Sequence, residues 1–286
     1  MPTEAYTLTR PIRQETSVVF ASPHSGRDYP AEFLAAAQLG AQALRSSEDA
    51  FVDQLFDAAP RFGSPLLAAR VPRAYIDLNR AADELDPSVI EGISRAQHNP
   101  RVSSGLGVIP RVVSGGRAIY RGKLSIAEAE HRLRDCWHPY HQTLRSLLEA
   151  TLADFGEAIL IDCHSMPHEA IESHVRPGTP RPDVVLGDRF GAACGQDIVD
   201  RIESAFVSAG LRVSRNSPFA GAYITQAYGR PSRGQHVIQV EIDRGLYMDE
   251  TKIAPLPHFA DFRRLLTGVI SDITSVGRVS LPLAAE

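Results

Sequence analysis

Ala158-Ile159-Leu160-Ile161 is an apolar run with strand character that ends abruptly in Asp162-Cys163-His164-Ser165-Met166, and Pro167 stops it. Ser17-Val18-Val19-Phe20-Ala21-Ser22 repeats the design and runs into Pro23-His24-Ser25-Gly26. After the earlier run, a helical pattern and a second short strand follow. Strand, helix and strand in alternation favour a sheet flanked by helices. In such α/β folds ligands gather just beyond the carboxyl ends of the strands. Two separate strands here each deliver a histidine to that place.

The spacing predicts a strand over 17–22 and a helix opening at Ser46 or Ser47, with Phe51, Val52, Leu55, Phe56 and Ala59 at helical spacing. A strand over 66–71 follows. Ser125-Ile126-Ala127-Glu128 fits a capping box at the head of a long helical pattern through Leu133, Trp137, Tyr140, Leu144, Leu148 and Leu152. Pro139 is expected to kink or split that helix, and Gly156 suits its stop. Strands at 158–163, 184–186 and 237–242 and helices over 191–210 and 259–273 complete the reading. Residues 81–122 are rich in Gly, Pro, Ser and Asn and read as an irregular rim or lid. Residues 174–183 read as a loop. With no internal repeat, low-complexity tract or linker, residues 1–286 read as a single domain.

A chain of 286 residues can bury a full core without metal or disulfide staples, so a metal here would be functional. The net charge of −4, with no basic stretch, argues against nucleic acid as a partner. Three cysteines with no C-x-x-C suggest neither a disulfide framework nor a zinc ribbon. No apolar stretch approaches the ~20 residues of a membrane span, and the N-terminus lacks the pattern of a secretory signal. The expected class is a cytoplasmic enzyme or binding protein with a small-molecule ligand; the oligomeric state is not indicated.

His24 and His164 are the first candidates for chemistry. Catalytic zinc sites often combine two histidines with one carboxylate and keep a position for water; the alternative is that each histidine merely caps its strand. Asp49 or Glu48 could supply the carboxylate, although acids at a helix N-terminus also serve the helix dipole. Glu241 lies inside the otherwise apolar Val237-Ile238-Gln239-Val240-Glu241-Ile242. A buried carboxylate needs a partner or a raised pKa, so Glu241 is either a general base or half of an ion pair, for instance with Arg244. Asn79-Arg80, after a short apolar segment, could hold an anionic substrate through the planar guanidinium fork. His138 and His141, spaced i, i+3, could bind metal or simply flank a kink. No G-x-S-x-G elbow is present. Adjacent Cys163 and His164 point to opposite faces of a strand and do not form a dyad.

Six motifs in order resemble the N-formylglutamate amidohydrolase family over roughly residues 15–270. They are Ser22-Pro23-His24-Ser25-Gly26, then Glu48-Asp49 with Asp53, then Arg73-x-x-x-Asp77-x-Asn79-Arg80. Asp162-Cys163-His164-Ser165-Met166-Pro167, Pro182-Asp183-Val184-Val185-Leu186-Gly187-Asp188 and Gln239-Val240-Glu241-Ile242 follow.

That family is distantly similar to the zinc carboxypeptidases and aspartoacylases. The resemblance implies a three-layer α/β/α sandwich around a mixed sheet, with zinc or another divalent transition metal held by His24, Asp49 and His164. It implies Glu241 as general base and then acid, Arg73 stabilising the oxyanion, and Asn79 and Arg80 gripping a substrate carboxylate. The carboxypeptidase pattern H-x-x-E is broken here by Arg27, so the metal carboxylate must come from further along, as Asp49 with Glu48 the alternative. The implied reaction is hydrolysis of N-formyl-L-glutamate to formate and L-glutamate, a step of histidine degradation. The alternatives are a related amidohydrolase for another N-acyl amino acid or small peptide, and a non-catalytic metal- or ligand-binding protein on the same fold.

Overall fold

The computed structural model describes residues 4–94, 99–172 and 181–278. Seven strands form its main sheet: β1 (Tyr6–Thr9), β2 (Val18–Ser22), β3 (Leu66–Ala69), β4 (Ala158–Met166), β5 (Val184–Gly187), β6 (Val213–Arg215) and β7 (Gln235–Asp243). Their spatial order is β1-β3-β2-β4-β7-β5-β6. The four central strands β3, β2, β4 and β7 run parallel, whereas β1 and β5 are antiparallel to their inner neighbours. The sheet is therefore mixed, and it has helices on both faces.

Strand alternation sorts the core into two layers. Phe20, Ile161, Cys163, Ile238 and Val240 point into one core, closed by α3 (Gln196–Ser208) and α5 (Phe259–Val276). Val19, Ala21, Leu160 and Val237 point to the opposite face, under α2 (His138–Phe155). Each buried Val, Leu or Ile contributes about 1.5–3 kcal/mol through removal from water. On this second face the apolar pattern fails only toward the carboxyl ends: β4 continues from Leu160 into Asp162 and His164, and β7 from Val237 into Gln239 and Glu241, all buried. Register sets His164 directly beside Glu241, and Asp162 beside Gln239.

The helix expected to open at Ser46 is broken up. Arg45–Ser47 form a single 3-10 turn, and the helix resumes only at Val52–Leu55. Between them Phe51 sits at φ 68°, a left-handed conformation that interrupts helical hydrogen bonding. Ser125 does cap α1 (Ile126–Arg132), its hydroxyl accepting from Glu128 N. The long helix does not split at Pro139. A π-helical turn, Leu133–Trp137, joins α1 to α2, and Pro139 follows just after it, where the wide turn already interrupts the regular i−4 hydrogen bonding. Gly156 ends α2 at φ 76°. Strands β1 and β6 and the helix α4 (Tyr223–Tyr228) have no counterpart in the sequence-based expectations.

Within segment 81–122 the described residues are mostly irregular, and part of them is packed into the core. Val89, Ile90, Val108, Ile109 and Ile119 are buried in the second core layer, and two short strands, Val112–Val113 and Arg117–Ala118, pair as a hairpin at its tip.

The irregular chain after β3 is held by side chains of the long helix. The Arg132 guanidinium donates to Tyr75 O (3.0 Å) and stacks on the Tyr75 ring, 4.1 Å from its centroid. Trp137 Nε1 donates to Arg80 O (2.9 Å) and His141 Nε2 donates to Leu78 O (2.9 Å). Tyr228 of α4 places its hydroxyl 2.9 Å from His141 Nδ1. His141 is thus a structural residue facing Leu78 and Tyr228, not half of a metal pair with His138.

Burial lowers the His141 pKa from 6.5 to about 4, so the folded protein keeps the ring neutral. Its contribution is complete above pH 6.5 and is lost as the pH falls toward 4, a difference of about 3 kcal/mol at most. Urea titrations at pH 7 and pH 4.5 should therefore show a smaller acid-induced loss of stability for His141→Gln than for the parent. Equal losses would mean that His141 titrates normally in the fold.

Candidate active site

The site grows at the carboxyl ends of β2, β3, β4 and β7, on the second face of the sheet. His24 follows β2 after Pro23. Gly26 lets this turn lie against the chain after β3: a Cβ there would stand 2.0 Å from Val71 O. Asp49 is tied back to the same turn, its N–H donating to His24 O (3.0 Å).

Three buried side chains converge. The ligating atoms of His24, Asp49 and His164 all lie within 4.8 Å of one another. His164 Nδ1 stands 2.9 Å and His24 Nδ1 3.5 Å from Asp49 Oδ2. The other carboxylate oxygen, Oδ1, accepts from Arg244 Nη2 (2.9 Å). Each histidine is steadied through its far nitrogen. His24 Nε2 is 2.7 Å from Asp77 Oδ1, and His164 Nε2 is 3.1 Å from Asp162 Oδ2. Both rings consequently present Nδ1 to the same gap.

His24 Nδ1 is buried and has no hydrogen-bond partner among the described residues. An orphaned imidazole nitrogen facing a second imidazole and a carboxylate is the donor set that zinc and similar ions take. The carboxylates behind the rings are what orients metal-binding histidines. The residues present therefore fit a divalent metal. Glu48, next to Asp49 in sequence, lies outside this group: Tyr29 donates to it (2.7 Å), and Arg45 grips it through Nε (3.1 Å).

Around the cluster lies a cleft of about 570 Å³. Glu241 lines it and accepts at Oε1 from Gln239 Nε2 (2.6 Å). Burial and the neighbouring Asp49 push its pKa up to about 7, against the pull of His164 and Arg73. The ion pair with Arg244 considered for Glu241 does not form. Arg244 is turned to Asp49 and to the Ser165 hydroxyl (3.1 Å). Arg73 also lines the cleft and pairs through Nε with Asp77 Oδ2 (3.0 Å).

Asn79 and Arg80 take different positions. The Asn79 amide is buried and engaged at both ends: Oδ1 accepts from Ile224 N (2.7 Å), and Nδ2 donates to Asp162 Oδ2 (3.3 Å) while lying 3.0 Å from His164 Nε2. Its observed contacts brace His164. Among the described residues the Arg80 guanidinium donates to two carbonyls, Leu106 O (2.9 Å) and Asn79 O (3.1 Å), and it lines the cleft. Asp77, Arg244 and Gln239 are site residues to which the sequence reading gave no function of their own. Arg244 follows directly on β7, Gln239 lies within β7 on the face of Glu241, and Asp77 falls in the irregular chain after β3.

Residues 16–248 match the family described as N-formylglutamate amidohydrolase. The chain belongs to the N-formylglutamate amidohydrolase family. It is 31% identical over 266 residues to an N-formylglutamate deformylase of Pseudomonas aeruginosa, covering 91% of this chain and 92% of the relative. It is 32% identical over 209 residues to one of Pseudomonas putida, covering 71% and 72%. The crystal structure of an N-formylglutamate amidohydrolase from Ralstonia eutropha superposes with a TM-score of 0.89 at 36% identity, over 96% of this chain and 98% of that one. A gene product of Agrobacterium tumefaciens shares the fold, with a TM-score of 0.64 at 15% identity over 96% of both chains.

The carboxylates around His164 favour its charged form. Burial opposes the proton, but Asp162, Asp49 and Glu241 outweigh it and raise the pKa well above 6.5. In chelator-treated protein at pH 7.5, nitrogen-resolved NMR should show both His164 ring nitrogens protonated. Asp162→Asn should bring that pKa down. A neutral His164 in the parent protein at this pH would contradict the carboxylate cage.

Proposed function

We propose that the protein hydrolyses the formamide bond of N-formyl-L-glutamate to formate and L-glutamate. The observation that carries this reading is the buried Glu241, its pKa near 7, set by register beside His164 of the His24–Asp49–His164 cluster. The names of the relatives supply the substrate.

In this reading His24, Asp49 and His164 hold zinc, and the same donors would also accept cobalt, nickel or manganese. A metal there supplies Lewis-acid polarisation of the formyl oxygen and lowers the pKa of water to around 7. Glu241 takes a proton from the attacking water as its oxygen adds to the formyl carbon. The C–N bond then breaks, and Glu241 returns the proton to the departing amine of glutamate. Arg73, fixed by Asp77, meets the negative charge that develops on the formyl oxygen. Arg80 receives a substrate carboxylate, and Asn79 supports it from the adjoining position. We place the reaction in the cytoplasm, in histidine degradation. No helix among the described residues is long and apolar enough to cross a membrane.

Glu241→Gln should bind metal as the parent does and lose ~10²–10⁴-fold in kcat. A variant that turns over N-formylglutamate at the parent rate would move the base elsewhere. Independently, chelation should abolish activity and added zinc should restore it. Full activity in chelator, with no metal found on analysis, would remove the metal from the reaction. A panel of N-formylaspartate, N-acetylglutamate and N-formylmethionine separates this reading from that of a deacylase for another N-acyl amino acid.

A further inference from the structure

The cleft holds four arginines, and their partners divide them into two pairs. Arg73 is neutralised by Asp77 and Arg244 by Asp49. Arg80 and Arg101 also line the cleft. Arg80 is only 4% exposed and donates to two backbone carbonyls. Among the described residues neither guanidinium has a carboxylate partner. A buried guanidinium hydrogen-bonded to carbonyls, with Asp77 and Glu84 near it but not paired to it, and a second cation lining the same cleft favour an anion brought in from outside the chain. Each lowers the cost of bringing an anion between them.

The two differ in depth. Arg80 follows Asn79, whose amide nitrogen stands 3.0 Å from His164 Nε2, so it belongs to the inner wall. Arg101 is exposed, at the mouth. It sits on a short turn, Pro100–Ser103, capped by Asn99, whose side-chain oxygen accepts from Arg101 N (2.9 Å). Leu106 N closes the turn on Arg101 O (2.8 Å). Leu106 O in turn accepts from Arg80 Nε. The segment carrying the outer arginine is therefore fastened to the inner one.

We propose that Arg101 is the specificity residue for the side-chain carboxylate of the substrate, with Arg80 taking the α-carboxylate. This rests on the function proposed above. In an N-formyl amino acid the α-carboxylate and the scissile amide share one carbon, so the carboxylate nearest the metal-ligating cluster must be the α one. The γ-carboxylate lies three carbons further out, toward the mouth. The class of substrate selected is an N-acyl amino acid with an anionic side chain. Arg101 touches neither the reacting amide nor the cluster, so it acts on binding and not on the chemical step.

Arg101→Met and Arg101→Lys, assayed with N-formyl-L-glutamate and N-formyl-L-glutamine, test this. Arg101→Met should raise KM for N-formylglutamate by roughly 10- to 100-fold, the worth of a charged hydrogen bond, with little change in kcat. Turnover of N-formylglutamine should be nearly unaffected, so the preference for glutamate collapses. Arg101→Lys should retain an intermediate preference. Equal losses on both substrates, an unchanged preference in Arg101→Met, or a parent enzyme that does not prefer glutamate would each overturn the assignment of Arg101. A parent enzyme inactive on every N-formyl amino acid would instead overturn the proposed function itself.

Discussion

One carboxylate, Asp49, ties the molecule's working parts together. Its Oδ2 faces an imidazole from the end of β2 and another from β4, and its Oδ1 holds a guanidinium just past β7. Burial alone would favour the neutral acid, yet the two histidines hold its pKa well below the usual range. An ionised carboxylate in a dry site costs free energy unless such partners surround it. Here the partners come from three strands, so the charge can be satisfied only when the parallel centre of the sheet is correctly aligned.

A second ring of contacts narrows the geometry further. Asp77 accepts from Asn79 N (2.8 Å), pairs with Arg73, and lies against His24. Asp162 and Asn79 brace His164. Arginine, histidine and asparagine side chains that look unrelated in sequence are joined in one network of acids and bases. Within such a network each group's protonation depends on its neighbours. That dependence leaves Glu241 poised near neutrality while Asp49 and Asp77 stay ionised.

Much of this was legible in the chain, because strand alternation is a strict rule. Asp162 and His164 share a face, as do Gln239 and Glu241, and an apolar strand that turns polar only at its carboxyl end announces a site. The choice between Glu48 and Asp49 was not legible. It rests on the 3-10 turn Arg45–Ser47 and the extended backbone that follows at Glu48, which propensity does not reveal. The engagement of Asn79 was hidden for a similar reason. Its partners, Ile224 and Asp162, are remote in sequence and meet it only through tertiary packing. The π-turn before Pro139 also escaped prediction, since the apolar spacing reads as a helix with or without one added residue.

That π-turn has a consequence for how this chain can change in length. Arg132 lies before it and His141 after it, with Trp137 at its end, and all three grip carbonyls of the same irregular segment. In an α-helix each residue advances the side chains by about 100°. The wider turn absorbs one residue and keeps the two ends of the helix in phase. Losing or gaining a residue in the regular winding between Trp137 and His141 would instead turn these side chains relative to one another by about 100°. Insertions and deletions tolerated in a surface loop would here uncouple the helix from the segment that carries Asp77, Asn79 and Arg80.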